Sequence, residues 1–270
     1  MSRRAAAERV LGRGPWSAPS VVPSLGPSEI HLWRADLSVA RGPQQPLLSG
    51  LLDDHERERA RRFRMDLHRE WFIARRAILR TMLGHYVGTT PAEICFEHNQ
   101  WGKPRLAGDA EAGIDHCFNL SHSHGHVLIA VTRGREVGVD LERIVAERAD
   151  PDVARRFFAP GELAALRQLT GESWLLGFFD CWTRKEAYVK AMGQGLSIPL
   201  DRFEVSIAAD RPALLSVDGS RASKRWCMKG VRPWNGFVGA LATEGESSPL
   251  SFRLLSLGDV SLRKLLPFSL

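Results

Sequence analysis

The sequence predicts an α+β fold made of two similar halves joined near residues 133–136. Three observations predict it. Segments of strand, helix and strand character follow one another to about residue 142, and helices followed by strands recur after it. Apolar residues keep a helical period over Arg69–Tyr86 and Ser173–Met192, yet form short runs of strand length such as His126–Thr132. The chain has 270 residues, 44% of them hydrophobic, enough to bury one large core or two small ones. There is no short-period repeat.

Residues 1–28 differ from the rest. Met1–Arg9 is basic and Gly12–Pro27 is rich in Gly, Pro and Ser, so a disordered extension is expected; it lacks the apolar stretch of a secretory signal. Residues 29–134 and 135–270 are expected to form the two subdomains. Glu29–Leu37 reads as a first strand. A helix starts near Leu51, with Asp53 or Asp54 where the helix dipole favours an acid. Arg69–Tyr86 reads as a second helix, its Phe72, Ile73, Ala77, Leu79 and Leu83 on one face, stopped by Gly88 and Pro91. His126–Thr132, the turn Arg133–Glu136 and the strand Val137–Glu142 together read as a hairpin. Helices follow near 153–158, 160–169 and 173–192. After Gly193 and Gly195, short strands near Phe203–Ile207, Arg225–Gly230 and Phe237–Ala242 close the pattern.

The formal net charge is +6 and the isoelectric point about 9.5, which favours an anionic partner: a nucleic acid, a phosphorylated cofactor or an acidic protein. No apolar run reaches the roughly 18 residues of a membrane-spanning helix. Cys95, Cys117, Cys181 and Cys227 are far apart and form no C-x-x-C pair, so they read as reduced thiols of a cytoplasmic protein.

Two clusters can carry chemistry. Asp140 and Glu142 lie two apart on a strand, so both carboxylates project from one face while Val139 and Leu141 turn to the core. Such a pair suits a hard cation such as Mg²⁺, or it is a solvent-facing strand edge. Trp182, Glu186 and Lys190, spaced i, i+4, i+8, line one face of a helix, with Lys185 one position before Glu186. That stripe is either an ion pair beside a core tryptophan, or a third metal ligand and a cation for a phosphate leaving group.

Gly138-Val-Asp-Leu-Glu142 resembles the Gly-Ile/Val-Asp-x-Glu motif of the Sfp-type 4′-phosphopantetheinyl transferases, and Trp182–Lys190 is similar to their W-x-x-K-E-A-x-x-K motif. Trp101-Gly-Lys-Pro104 and Phe118-Asn-Leu-Ser-His-Ser123 resemble two further signatures, upstream and in the same order. The resemblance runs from about Ile30 to about Thr243 and rests on four ordered motifs.

The resemblance implies two pseudo-symmetric α+β subdomains with the active site in the cleft between them. It implies transfer of the phosphopantetheine arm of coenzyme A to a serine of an apo acyl, peptidyl or aryl carrier protein, with 3′,5′-ADP released. Asp140, Glu142 and Glu186 would hold Mg²⁺; Lys190 would contact the phosphates; Glu186 would take the serine proton, directly or through a bound water. Lys103 and Pro104 resemble positions near the adenine and its phosphate, and Ser121 and His122 resemble positions that hold the 3′-phosphate. Arg59 and Arg69 match bases that contact that phosphate in relatives, while Glu56 stands where some relatives carry a base. Lys185 is carried over as a further coenzyme A contact. Arg155–Phe158, followed by Glu162, resembles part of the carrier surface. A self-contained cleft implies a monomer.

Other chemistries read the same residues differently. His116, His122, His124 and His126 invite a zinc site, but Gly125 interrupts the strand and no cysteine or carboxylate completes a ligand set. Arg57, Arg59, Arg61, Arg62 and Arg64 suggest nucleic-acid binding, yet Glu56 and Glu58 break the stripe and favour a salt-bridged helix face. A Mg²⁺ phosphohydrolase or nuclease would use the same carboxylates with water as acceptor. A degenerate relative that binds carrier without transfer is disfavoured, because the metal and phosphate residues are all present.

Overall fold

The computed structural model describes residues 10–40, 45–108, 115–208, 212–221, 225–245 and 250–257. The first half contributes β2 (Glu29–Asp36), α1 (Gln45–Gly50), α2 (Asp54–Arg61), α3 (Asp66–Val87), the short pair β3 (Phe96–His98) and β4 (Pro104–Leu106), then β5 (His116–Ser123) and β6 (His126–Arg133). The second contributes β7 (Val137–Arg143), α4 (Pro151–Phe157), α5 (Pro160–Leu166), α6 (Gly171–Met192), the small sheet β8 (Phe203–Val205), β9 (Leu214–Val217) and β10 (Ser220–Arg221), then β11 (Trp226–Val231) and β12 (Phe237–Glu244). Two outlying strands, β1 (Val10–Leu11) and β13 (Ser251–Leu257), complete the large sheets.

The halves share one topology. Each runs strand, long helix, then two antiparallel strands, and each sheet is ordered first strand, last, middle: β2-β6-β5 in one half and β7-β12-β11 in the other. The two sheets pack face to face. Ile30, Leu32, Leu128 and Ala130 from one sheet meet Val137, Val139, Leu141, Val231 and Leu241 from the other. The outer face of the first sheet is covered by α3, through Phe72, Ala77, Ile78 and Met82 against Trp33, Ile129 and Val131. The outer face of the second is covered by α6, through Phe178, Ala187 and Ala191 with Val238, Ala240 and Ala242. The result is helix, sheet, sheet, helix, with three apolar layers between. This is the α+β fold in two similar halves that the sequence predicts.

Local sequence fixes the helix ends. Asp53 caps α2 and accepts from Glu56 N, while the Glu56 carboxylate accepts from Asp53 N, a reciprocal capping box. Gly88 and Gly193 end α3 and α6 in the left-handed region, at φ 73° and 68°, where a side chain would be strained. Glu56, which stands where some relatives carry a base, is buried here. It pairs with Arg76 and with the fully buried Arg80 (2.6 Å from Nε), fastening α2 onto α3.

Three expectations are corrected. First, β6 and β7 are not a hairpin: β6 pairs with β2 and β5, β7 pairs with β12, and the turn at Arg133–Glu136 carries the chain from one sheet to the other. Second, disorder over residues 1–28 does not hold for residues 10–28, and residues 1–9 lie outside the described residues. Val10 and Leu11 are buried and pair in parallel with Gly230 and Val231, Ser17 bridges to Leu255, and Leu25 is buried in the first core. Third, the expected boundary near residue 135 does not separate the two sheets, because β13 adds in parallel to β2 of the first sheet. The termini are thus exchanged: each large sheet takes its fourth strand from the far end of the chain.

No described helix is long and apolar enough to cross a membrane. No disulfide joins the four cysteines.

Candidate active site

Alternation along β7 builds one wall of the site. Val137, Val139 and Leu141 enter the core between the sheets, so Gly138, Asp140 and Glu142 face α6. Gly138 lets the helix settle there: a Cβ at this position would collide with Ala187 O and Ala191 N. Helix and strand therefore pack backbone to backbone at this point, and the stripe Trp182, Glu186, Lys190 comes down beside the two carboxylates. Lys190 Nζ reaches Asp140 Oδ1 at 2.5 Å.

The other wall is β5. Ser121 Oγ donates to Asp140 Oδ1 at 2.9 Å, and Lys190 Nζ lies 3.1 Å from the same hydroxyl. Ser123 Oγ donates to Glu142 Oε2 at 3.1 Å. The second oxygen of Asp140, Oδ2, is buried and has no hydrogen-bond partner among the described residues.

Electrostatics make this an electron-rich centre. Burial, reinforced by Asp140, pushes the Glu142 carboxyl above its usual range, against smaller pulls from Ser123, Lys190 and Arg148. Burial and Asp140 likewise raise Glu186, against Lys190. Three carboxylates share one ammonium, and a buried carboxylate oxygen stands unpaired. A hard divalent cation relieves both conditions, so the donor set fits Mg²⁺. The carboxylates are not a ready-made cage: among the described residues no three His, Cys, Asp or Glu groups converge as a metal cluster. Mg²⁺ characteristically takes one or two carboxylates and completes its shell with water and phosphate oxygens.

Three cavities adjoin the centre. One of about 340 Å³ is lined by Trp101, Lys103, Pro104, Leu120, Glu186 and Lys190. One of about 360 Å³ holds Trp71, Arg75, His122, Glu142 and Arg148. A smaller apolar one, about 170 Å³, lies under Val153, Phe178, Phe179 and Trp182 and also touches Glu142 and Arg148.

The structure thus brings Asp140, Glu142, Glu186, Lys190 and Ser121 together and sets Pro104 and His122 in the flanking cavities. His122 turns to the opposite face of β5 from Ser121. The cavity walls strip water from its ring, and with Arg75 and Lys190 nearby this lowers its pKa to about 4, although one edge stays exposed. Arg59 is exposed, stacks over Phe72 and lines a separate cavity with His55 and Arg62. Arg69 closes a pair with Asp66 at 2.7 Å and lines none of the three cavities.

Two basic residues do not play the parts expected of them. Lys185 is fully buried on the far side of α6, where its ammonium binds Glu162 (2.8 Å) and the carbonyls of Leu200 and Phe203 (2.7 Å each). One residue before Glu186 is about 100° around the helix, which turns it from cleft to core. Lys103 lines the first cavity, but its three N–H groups go to Glu136 (2.5 Å), Val137 O (3.1 Å) and Ala191 O (2.9 Å). Sequence reasoning also missed Trp71, Arg75 and Arg148. Burial, with Arg59 and Arg76 near, lowers Arg75 to about 10, still a cation at neutral pH. The spacing of Trp71 and Arg75, i and i+4 on α3, was the available signal.

The histidines do not gather as a metal cluster among the described residues, although His122 and His124 line the same cavity. His116 packs near Tyr86, His126 against Trp234 and Phe237, and His124 occupies the left-handed turn at φ 46°. Arg57, Arg61 and Arg62 form ion pairs with Asp54 and Glu58 on their own helix, the salt-bridged face expected of α2.

Comparison with known proteins points one way. The family model of the 4′-phosphopantetheinyl transferase superfamily matches residues 136–242, and that of the 4′-phosphopantetheinyl transferase N-terminal region matches residues 43–134. The 4′-phosphopantetheinyl transferase HetI of Nostoc sp. is 39% identical over 219 residues, covering 80% of this chain and 88% of that protein. A 4′-phosphopantetheinyl transferase of Bacillus subtilis is 30% identical over 177 residues, covering 65% and 75%. The transferase Sfp of Bacillus subtilis strain 168 is 27% identical over 173 residues, covering 63% and 73%. The hydrolase, nuclease and nucleic-acid readings find no support among these relatives.

Proposed function

This chain belongs to the 4′-phosphopantetheinyl transferase family, and from that premise we propose that it moves the phosphopantetheine arm of coenzyme A onto a serine hydroxyl of an apo carrier protein. The observation that carries the assignment to this site is the meeting of Asp140, Lys190 and Ser121, with a buried oxygen of Asp140 left unpaired, between cavities large enough to divide a coenzyme among them.

Asp140, Glu142 and Glu186 would hold Mg²⁺. Bound there, the ion would screen the pyrophosphate and stabilise charge that builds on it. The chain's own groups do the rest. The carrier serine oxygen forms a bond to the β-phosphorus of coenzyme A as the bond from that phosphorus to the departing 3′,5′-ADP oxygen breaks. Lys190, bonded to Asp140 Oδ1, offers its ammonium to the developing phosphate charge. Glu186 receives the serine proton; burial already makes it a better proton acceptor than an exposed glutamate.

Arg75, His122 and Arg148 offer donors to the nucleotide phosphates from the second cavity, while Lys103 and Pro104 wall the first. In this reading the first half supplies most of the coenzyme A contacts, joined by Arg148 from the second half, which also carries the metal and catalytic groups. The chain acts as a monomer, since both walls come from one chain, and in the cytoplasm.

The test is mass spectrometry of several apo carriers incubated with coenzyme A and Mg²⁺. A gain of about 340 Da, one phosphopantetheine arm esterified to serine, is expected. A broad carrier panel with no gain, from folded protein that binds coenzyme A, would reject the transfer.

A further inference from the structure

Strand β7 is the edge of its sheet, and what lies along that edge is a row of side chains from β5. Asn119 Oδ1 accepts from Val139 N at 2.9 Å, Ser121 Oγ from Leu141 N at 3.2 Å, and Ser123 Oγ from Arg143 N at 3.2 Å. The rungs fall at alternate residues on both strands, so three side chains replace a missing strand. All three are buried.

The two serines do more than the asparagine. A hydroxyl has one proton and two acceptor positions. Ser121 accepts from Leu141 N and Lys190 Nζ, and its proton goes to Asp140 Oδ1. Ser123 accepts from Arg143 N and gives its proton to Glu142 Oε2, so His124 Nδ1, 3.1 Å away, is the donor of that pair. The unit repeats: each serine accepts from the backbone of one residue and donates to the carboxylate of the residue before it. Ser121 has no hydrogen-bonding position left for a phosphate. Asp140 Oδ1 is held by two donors, Ser121 and Lys190, which fixes the carboxylate plane and leaves the buried Oδ2 as its one open oxygen.

We infer that Ser121 and Ser123 are positioning residues that aim the carboxylates of Asp140 and Glu142 at the metal, and that Ser121 is not a phosphate contact. The inference rests on Asp140 and Glu142 being metal carboxylates. Groups that orient metal ligands in this way are worth about 10- to 100-fold in metal affinity.

The probe is Mn²⁺, titrated without coenzyme A and followed by its electron paramagnetic resonance. Ser121→Ala and Ser123→Ala should each weaken Mn²⁺ binding about ten-fold or more and raise the Mg²⁺ concentration needed for turnover. Neither should change KM for coenzyme A at saturating Mg²⁺. Ser121→Thr, which keeps the hydroxyl, should restore affinity. Asn119→Ala removes a rung but touches no carboxylate, so it should lower stability and leave Mn²⁺ affinity alone. If Ser121→Ala loses stability, Ser123→Ala and the threonine variant carry the test. Wild-type Mn²⁺ affinity in folded Ser121→Ala and Ser123→Ala, or a raised KM for coenzyme A instead, overturns the positioning role. Wild-type Mn²⁺ affinity in Asp140→Ala would bring down the metal assignment itself, and this inference with it.

Discussion

The ammonium of Lys103 bonds the carbonyl of Ala191 at 2.9 Å, tying the loop that walls the first cavity to the last turn of the helix that carries Glu186 and Lys190. Asn99 adds a second tie, from Nδ2 to Gly193 O at 2.8 Å. The loop and the helix are therefore fastened to each other at two points. Lys103→Ala leaves the Val137 and Ala191 carbonyls without this donor and should cost about 2 kcal/mol in urea unfolding. Unchanged stability with a raised KM for coenzyme A would return Lys103 to the substrate contact its motif implies.

Removal of residues 1–28 should destabilise the protein. Val10, Leu11 and Leu25 lose their burial, and β11 and β13 lose bonded neighbours. Three such side chains amount to roughly 4 kcal/mol or more. Thermal unfolding of the truncated chain checks this, and an unchanged midpoint would contradict it.

Within the site, effects should separate by what each change removes. Asp140→Ala should raise the Mg²⁺ requirement. Glu186→Gln should lower turnover steeply even at saturating Mg²⁺. Lys190→Ala should add about 2–4 kcal/mol to the barrier, the usual scale for a lost electrostatic stabiliser. Asp140→Ala combined with Glu186→Gln should cost little more than the worse single change, because groups acting as a unit are non-additive. Turnover against Mg²⁺ and coenzyme A, with folding followed by circular dichroism, reads all four. Near-normal turnover in folded Glu186→Gln would separate the helix from the metal centre.

Acid should weaken the fold through His31. Its side chain is fully buried; Nδ1 shares a hydrogen bond with the Tyr86 hydroxyl (2.6 Å), and Nε2 faces Glu29 at 3.6 Å. Burial, with Arg253 on β13 adding to it against Glu29, brings the ring to about pH 4, while His116 stands beyond Tyr86. The folded pKa lies below the unfolded value of about 6.5. The unfolded chain therefore takes up the proton first, and stability declines as pH falls from about 6.5 to about 4, by up to about 3 kcal/mol. His31→Gln should flatten that part of the stability curve. An equally steep decline in the variant would assign it to other groups.

The catalytic motifs were legible because they are periodic. Asp140 and Glu142 follow the two-residue repeat of a strand, and Trp182, Glu186 and Lys190 the repeat of a helix, so their faces followed from spacing. Which neighbour each strand takes is not periodic information: the apolar run His126–Thr132 suits a hairpin as well as a crossover between sheets. Val10–Leu11 is too short to show any period among glycines and prolines. Lys185 and Lys103 carry motif identities, but whether a lysine faces a ligand or saturates itself on carbonyls depends on residues far away, here Leu200, Phe203 and Ala191. The serines of β5 are the same case: the motif Phe118–Ser123 marked them, and only the meeting with β7 shows what their hydroxyls bind.

The exchanged termini also set an order of events during synthesis. Strand β13 lies beside β2 although more than two hundred residues separate them in the chain, so β2 stays an unpaired edge until residue 257 has left the ribosome. Through that interval the nascent first half shows an open row of backbone donors and acceptors, the kind of edge that recruits foreign strands. A chaperone that shields strand edges should act on this protein late, and release it once the final strand has docked.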